Sequence, residues 1–234
     1  MNEDRCDIHD VKKAASDLVA FGCSIGAPQL FDSFLQLKFS SMVSSYANGV
    51  IKAVDEGLIS ARQGLQEIKE EYAELLAKAL FYGKNGTGIL AGFAQIHVGT
   101  TRFASSKGLT APISLLYIAH GTNNIYEGMI NIYRGPNAPE TIGPVRNAYR
   151  KIVKSTHTGD NVYYEIDLAL SAYGLLRKVR KPGTFELFNR DPINYERAYT
   201  QIGRPALALE ILSNAISIDN IRNNTTAKQS SNLD

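Results

Sequence analysis

Between Asn85 and Tyr133 the chain runs for 49 residues with three charged side chains, Arg102, Lys107 and Glu127. At the 21% charge content of the whole sequence, about ten would stand there. The same stretch holds seven glycines, at positions 86, 88, 92, 99, 108, 121 and 128. A segment this poor in charge calls for cover by protein or by lipid. It consists of two apolar runs. The first, Ile89 to Phe103, follows Gly88, so that Gly88 and Gly92 form a Gly-x-x-x-Gly pair. The second, Leu109 to Tyr133, is opened by Thr110-Ala111-Pro112, a good helix start with proline in the first turn. Ser105-Ser106-Lys107-Gly108 is a natural turn between them. The pattern predicts a helical hairpin whose faces are lined with small residues.

The flanking sequence reads as helices. Val11, Ala14, Ala15, Leu18 and Val19 make a short helical pattern, punctuated by Gly22, Gly26 and Pro28. Residues 29–56 follow with apolar and small side chains at three- and four-residue steps, and Gly57 is a plausible stop. Residues 59–82 carry Leu65, Ile68, Tyr72, Leu75, Leu76 and Ala79 on one stripe, with Glu67, Lys69, Glu70, Glu71 and Glu74 around it. Beyond the hairpin come a proline-rich loop at 135–139, a short basic helix at 145–154, a loop at Thr158–Asn161 and a helix over 162–180. Cations at Arg177, Lys178 and Arg180 suit the negative end of that helix. Two shorter helices, Pro192–Ile202 and Pro205 to about Ile218, close the pattern. Strand-like alternation is nearly absent. The expected fold is all-α, a multi-helix bundle around a central glycine-rich apolar hairpin. The expected organisation is an N-terminal helical region over 1–82, a hairpin and C-terminal bundle over 83–222, and a disordered Asn/Thr/Ser-rich tail over 223–234.

Composition narrows the function classes. A net charge of +2 argues against a nucleic-acid partner by bulk electrostatics. Cys6 and Cys23 have no CxxC spacing and no neighbouring His pair, so neither a zinc site nor a disulfide framework is expected. No cofactor motif is present. The first residues are polar with no apolar signal core behind them, which predicts synthesis in the cytoplasm and export, if any, by a secretion system.

The polar residues inside the apolar segment are the candidates for chemistry. His120, Asn124 and Glu127 fall at i, i+4 and i+7 of one helix, an imidazole, an amide and a carboxylate on one face. They suit acid–base work, with Glu127 orienting His120 through an intermediate group. They equally suit a polar network that fixes helix register. Counting back from the turn places His97 at the depth of His120 on the opposite arm. With Glu127 these histidines match no metal spacing, and no metal site is expected. Asp167, among apolar neighbours, is expected to pair with Arg146 or Arg150, and Asp160 or Asn161 to cap the helix that follows.

The hairpin has two readings, a buried core pair in water or an element that inserts in a bilayer. In the second, Gly88, Gly92, Gly99, Gly121 and Gly128 permit close helix contact, while Gln95, His97 and Asn123 line a pore or an oligomer interface.

Three segments carry a resemblance. They are Ile118–Gly128, Pro144–Tyr149, and Ser171–Leu176 running on to Pro182, with Arg204–Leu209 fitting as well. Over roughly residues 60–221 they resemble a bacterial helical family of unknown function, found stand-alone and similar to C-terminal modules of antibacterial effectors. Members commonly have a more aliphatic first arm than this one, with its Gln95, His97 and Arg102. The resemblance implies a toxin. The resulting expectation is a membrane-permeabilising effector, homo-oligomeric on insertion, acting at a target inner membrane and neutralised by an immunity protein. The alternatives are a hydrolase using His120 and Glu127, or a non-enzymatic interaction module.

Overall fold

The computed structural model describes residues 6–29, 33–106, 109–185 and 191–231. Among them are seven α-helices: α1 (Ile8–Gln29), α2 (Ser33–Asp55), α3 (Ala61–Ser105), α4 (Ala111–Arg134), α5 (Pro144–Val153), α6 (Thr156–Leu176) and α7 (Arg204–Ser231). Two three-residue strands, β1 (Lys178–Arg180) and β2 (Tyr195–Arg197), pair antiparallel. The fold is all-α. The chain divides into two compact units, one up to Phe81 and one from Tyr82 on.

The first unit holds α1, α2 and the start of α3. Its core is apolar: Ala15, Leu18, Ala47 and Ile68, with Val43, Val50, Tyr72 and Leu75 packed against them. Asp55 ends α2, and Gly57 takes the left-handed conformation (φ +70°) that a side chain resists. Ser60 then opens α3 with a capping box: its Oγ accepts from Gln63 N (3.2 Å) and its own N donates to Gln63 Oε1 (2.9 Å).

The second unit is built differently. The later part of α3 lies antiparallel against α4, with glycines at the closest points. A Cβ on Gly92 would stand 2.5 Å from Gly121 O, one on Gly99 2.8 Å from Ser114 O, and one on Gly128 2.8 Å from Asn85 O. Pro144 sits at the start of α5, Ser155 caps α6, and α7 packs on α6.

Several expected boundaries differ. α1 runs through Gly22, Gly26 and Pro28 to Gln29. α3 continues through Gly83, Gly86 and Gly88 as one 45-residue helix, because a change of composition does not interrupt the backbone ladder. A Cβ on Gly88 would meet nothing within 4 Å, so of the Gly88–Gly92 pair only Gly92 is a contact glycine. Thr158–Asn161 is helix, since Ser155 caps α6 a turn earlier, its Oγ accepting from Thr158 N (3.3 Å). The 192–202 stretch is two short 3-10 turns flanking β2, and α7 extends through much of the expected tail to Ser231. Lys107 and Gly108 of the expected turn and residues 232–234 of the tail lie outside the described residues.

Candidate functional site

The inward row of α4 is almost wholly polar. Ser114, Tyr117, His120, Asn123, Glu127 and Asn131 are buried at three- and four-residue steps. Opposite them α6 presents Asp160, Tyr163, Asp167 and Leu170 at the same spacing. A polar seam of this kind holds only if each group finds a partner.

Asp167 is its centre. Its Oδ1 accepts from Gln95 Nε2 (2.7 Å) and Asn124 Nδ2 (3.4 Å) and lies 3.2 Å from His120 Nδ1. The other imidazole nitrogen, Nε2, is 3.2 Å from Tyr149 Oη. The His120 ring stacks on Tyr163, with centroids 4.6 Å apart and planes at 5°. Tyr163 Oη donates to Asn124 Oδ1 (2.7 Å) and accepts from Asn123 Nδ2 (3.0 Å). His120 is fully buried, at 0% exposure. A carboxylate, an imidazole and a phenol thus stand in line, and Tyr149 is the half-buried member at the outer end.

A second cluster adjoins the first through Asn123, whose Nδ2 also donates to Glu127 Oε1 (2.9 Å). Glu127 Oε1 accepts from Gly143 N (2.6 Å), and Asn123 Oδ1 from Val145 N (3.0 Å), so the two side chains hold the start of α5. Arg146 donates to both oxygens of Asp160 (Nε 3.0 Å, Nη2 2.9 Å), as does Arg150 (2.5 and 2.6 Å). Arg146 Nη1 also lies 3.6 Å from Glu127 and 3.2 Å from Glu140. Gly159 allows this approach, since a Cβ there would meet the Arg150 backbone at 2.5 Å.

Burial sets the electrostatics. It pushes the Glu127 carboxyl above its ordinary range, against the pull of Arg146 and the hydrogen bonds from Gly143 and Asn123. Burial also acts to raise Asp160, but the hydrogen bonds and charges of Arg150 and Arg146 outweigh it and hold the carboxyl low. The Tyr149 phenol is raised by burial and by the Asp167 charge, and Tyr163 stands well above the usual phenol range, chiefly through burial.

The structure therefore regroups the expected site. His120 and Asn124 meet on Asp167, while Glu127 belongs with Asn123 and Arg146. Asp167 pairs with His120 rather than with Arg146 or Arg150, because those arginines are taken by Asp160, about two helical turns earlier on α6. Asp160 accordingly is no helix cap. His97 is exposed and does not face His120. Gln95 joins the site from α3. Sequence reasoning missed Tyr149, Tyr163 and the Asp160–Arg150 pair. The signal for α6 was the Tyr163-Asp167-Leu170 spacing. Among the described residues no group of three His, Cys, Asp or Glu is arranged to hold a metal ion.

The family described as Protein of unknown function (DUF4225) matches residues 62–203, and thus every residue of both clusters. The chain belongs to the DUF4225 family. Its matched span runs from the first turn of α3 to Gly203, just before α7. No curated protein and no solved structure matches the chain.

Proposed function

We propose that this DUF4225 protein is a membrane-active toxin whose α3–α4 pair is the acting element. The observation that carries this reading is an inverted polarity. The pair turns its polar side chains inward, and outward it presents Leu90, Phe93 and Phe103 on α3 and Leu115, Tyr126, Met129 and Tyr133 on α4, all exposed. Exposed apolar faces of this extent mark contact with lipid or protein, and polar residues turned inward suit helices facing hydrocarbon. No helix among the described residues is long and apolar enough to cross a membrane. Hydropathy averaged along α4 mixes the two faces, whereas a bilayer meets only the outer one. The 24 residues of α4 span about 36 Å, comparable with a hydrocarbon core of about 30 Å. In this reading the pair enters the bilayer as a unit, several copies bring their polar faces together, and a bacterial target is protected by an immunity protein.

The test is dye release from vesicles of bacterial lipid composition. Wild-type protein is expected to release dye, and Phe93→Glu with Met129→Glu to abolish release while the helical signal and melting temperature hold, since both side chains are exposed. Neither vesicle binding nor leakage from wild type would sink the reading.

A second reading, acid–base catalysis, is favoured by the line Asp167–His120–Tyr149. Here Asp167 orients the imidazole in place of Glu127. His120→Gln would then abolish toxicity in cells without changing vesicle binding.

A further inference from the structure

The second unit contains a cavity of about 220 Å³ between α3, α6 and α7, with Val179 of β1 also lining it. That is room for about seven waters, or for a small organic molecule. Its walls carry both signs of charge. Arg177 lines it, and the Arg177 Nε is buried with no hydrogen-bond partner. No ion pair of Arg177 is present among the described residues. A guanidinium stays charged at any physiological pH, so an unmet donor there leaves a binding capacity unused. Asp167 and Glu210 line the same cavity. All three donors to Asp167 address Oδ1, and no donor reaches Oδ2 among the described residues. Glu210 Oε2 accepts from Ser171 Oγ at 2.7 Å.

We propose that this cavity binds a small zwitterion of amino-acid size, its carboxylate on Arg177 and its ammonium between Asp167 and Glu210. A carboxylate offers the planar, two-oxygen acceptor that a guanidinium fork takes best. An ammonium offers three donors to two carboxylates that have oxygens to spare. Either charge alone leaves the other end of the cavity unsatisfied. Burial raises the Glu210 carboxyl, the Ser171 hydroxyl opposes this and the nearby Asp167 charge adds to it, so a cation placed between the two carboxylates relieves their repulsion. Glu210 lies on α7, beyond the span matched by the family. The proposal is independent of the membrane reading.

The experiment is calorimetric titration of the full chain with glycine, alanine and serine, with acetate and methylammonium as single-charge probes. The expected result is amino-acid binding at about millimolar affinity or better, at least about tenfold tighter than either single-charge probe. Arg177→Gln is expected to weaken it by about tenfold or more, and Ala94→Met, which fills the cavity and removes no charge, to abolish it. If Arg177→Gln fails to fold, Ala94→Met decides alone. No heat from any amino acid, acetate binding as tightly as the amino acids, or binding unchanged in Ala94→Met would each overturn the proposal.

Discussion

Two guanidiniums share one buried carboxylate at Asp160, and the arrangement sets what single substitutions do. Asp160 is 4% exposed and Arg146 3%. Asp160→Ala would leave Arg146 charged and short of its main partner, and is expected to cost about 3–5 kcal/mol, read as a shift in the urea midpoint. The pH dependence of the two clusters runs in opposite directions. The folded pKa of Asp160 lies below the ordinary 3.8, so its contribution is present above that value and lost as pH falls further. The folded pKa of Glu127 lies above the ordinary 4.5. Its contribution is complete below that value and lost as pH rises through the raised one. Glu127→Gln keeps an oxygen for Gly143 N and Asn123 Nδ2 but cannot titrate. Its stability relative to wild type is therefore expected to improve as pH rises above 4.5, in urea unfolding across a pH series. At this scale the sequence showed His120, Asn124 and Glu127 as polar residues on one helix. It did not show their partners, because Asp167 lies 47 residues from His120 and which carboxylate reaches which cation depends on how α6 is rotated against α4.

The contact glycines decide the closeness of α3 and α4. Gly92→Ala would drive a methyl into the Gly121 carbonyl at 2.5 Å. It is expected to destabilise by about 1–3 kcal/mol, since neither backbone can yield alone. Gly88→Ala meets nothing and gains helix propensity, so it is expected to stabilise by up to about 1 kcal/mol. Thermal melts of the two variants side by side check the contrast, and loss of stability in both would contradict it. Sequence spacing pairs these glycines as equals. Only the neighbouring helix distinguishes them, because Gly92 faces α4 and Gly88 does not. The same limit applies to the break expected at Gly83. Three glycines within six residues weaken a helix by about 1 kcal/mol each, yet packing along the remainder of α3 carries the ladder through.

Over the whole chain the two units rest on different interiors. The first has an apolar core around Leu18 and Ile68, and the second is held by its polar seam. Units with separate cores lose structure separately. Denaturant titration followed by hydrogen exchange is expected to show two transitions, with Leu18→Ala lowering only the first unit's protection and Asp160→Ala only the second's. A single shared transition, moved equally by both variants, would contradict this.

Periodicity, proline and glycine placement and the scarcity of charge determined the all-α class and marked residues 85–133 as unlike the rest, because those properties are local to the chain. Tertiary structure alone decided that the polar row of α4 faces inward and that Leu115, Tyr126, Met129 and Tyr133 face outward. The helical period says which residues share a face, but not which face the rest of the molecule covers. The charge-poor segment thus acquires its meaning from Gly143 and from α5 and α6, whose Arg146, Tyr149, Tyr163 and Asp167 complete the partners that make a polar interior stable.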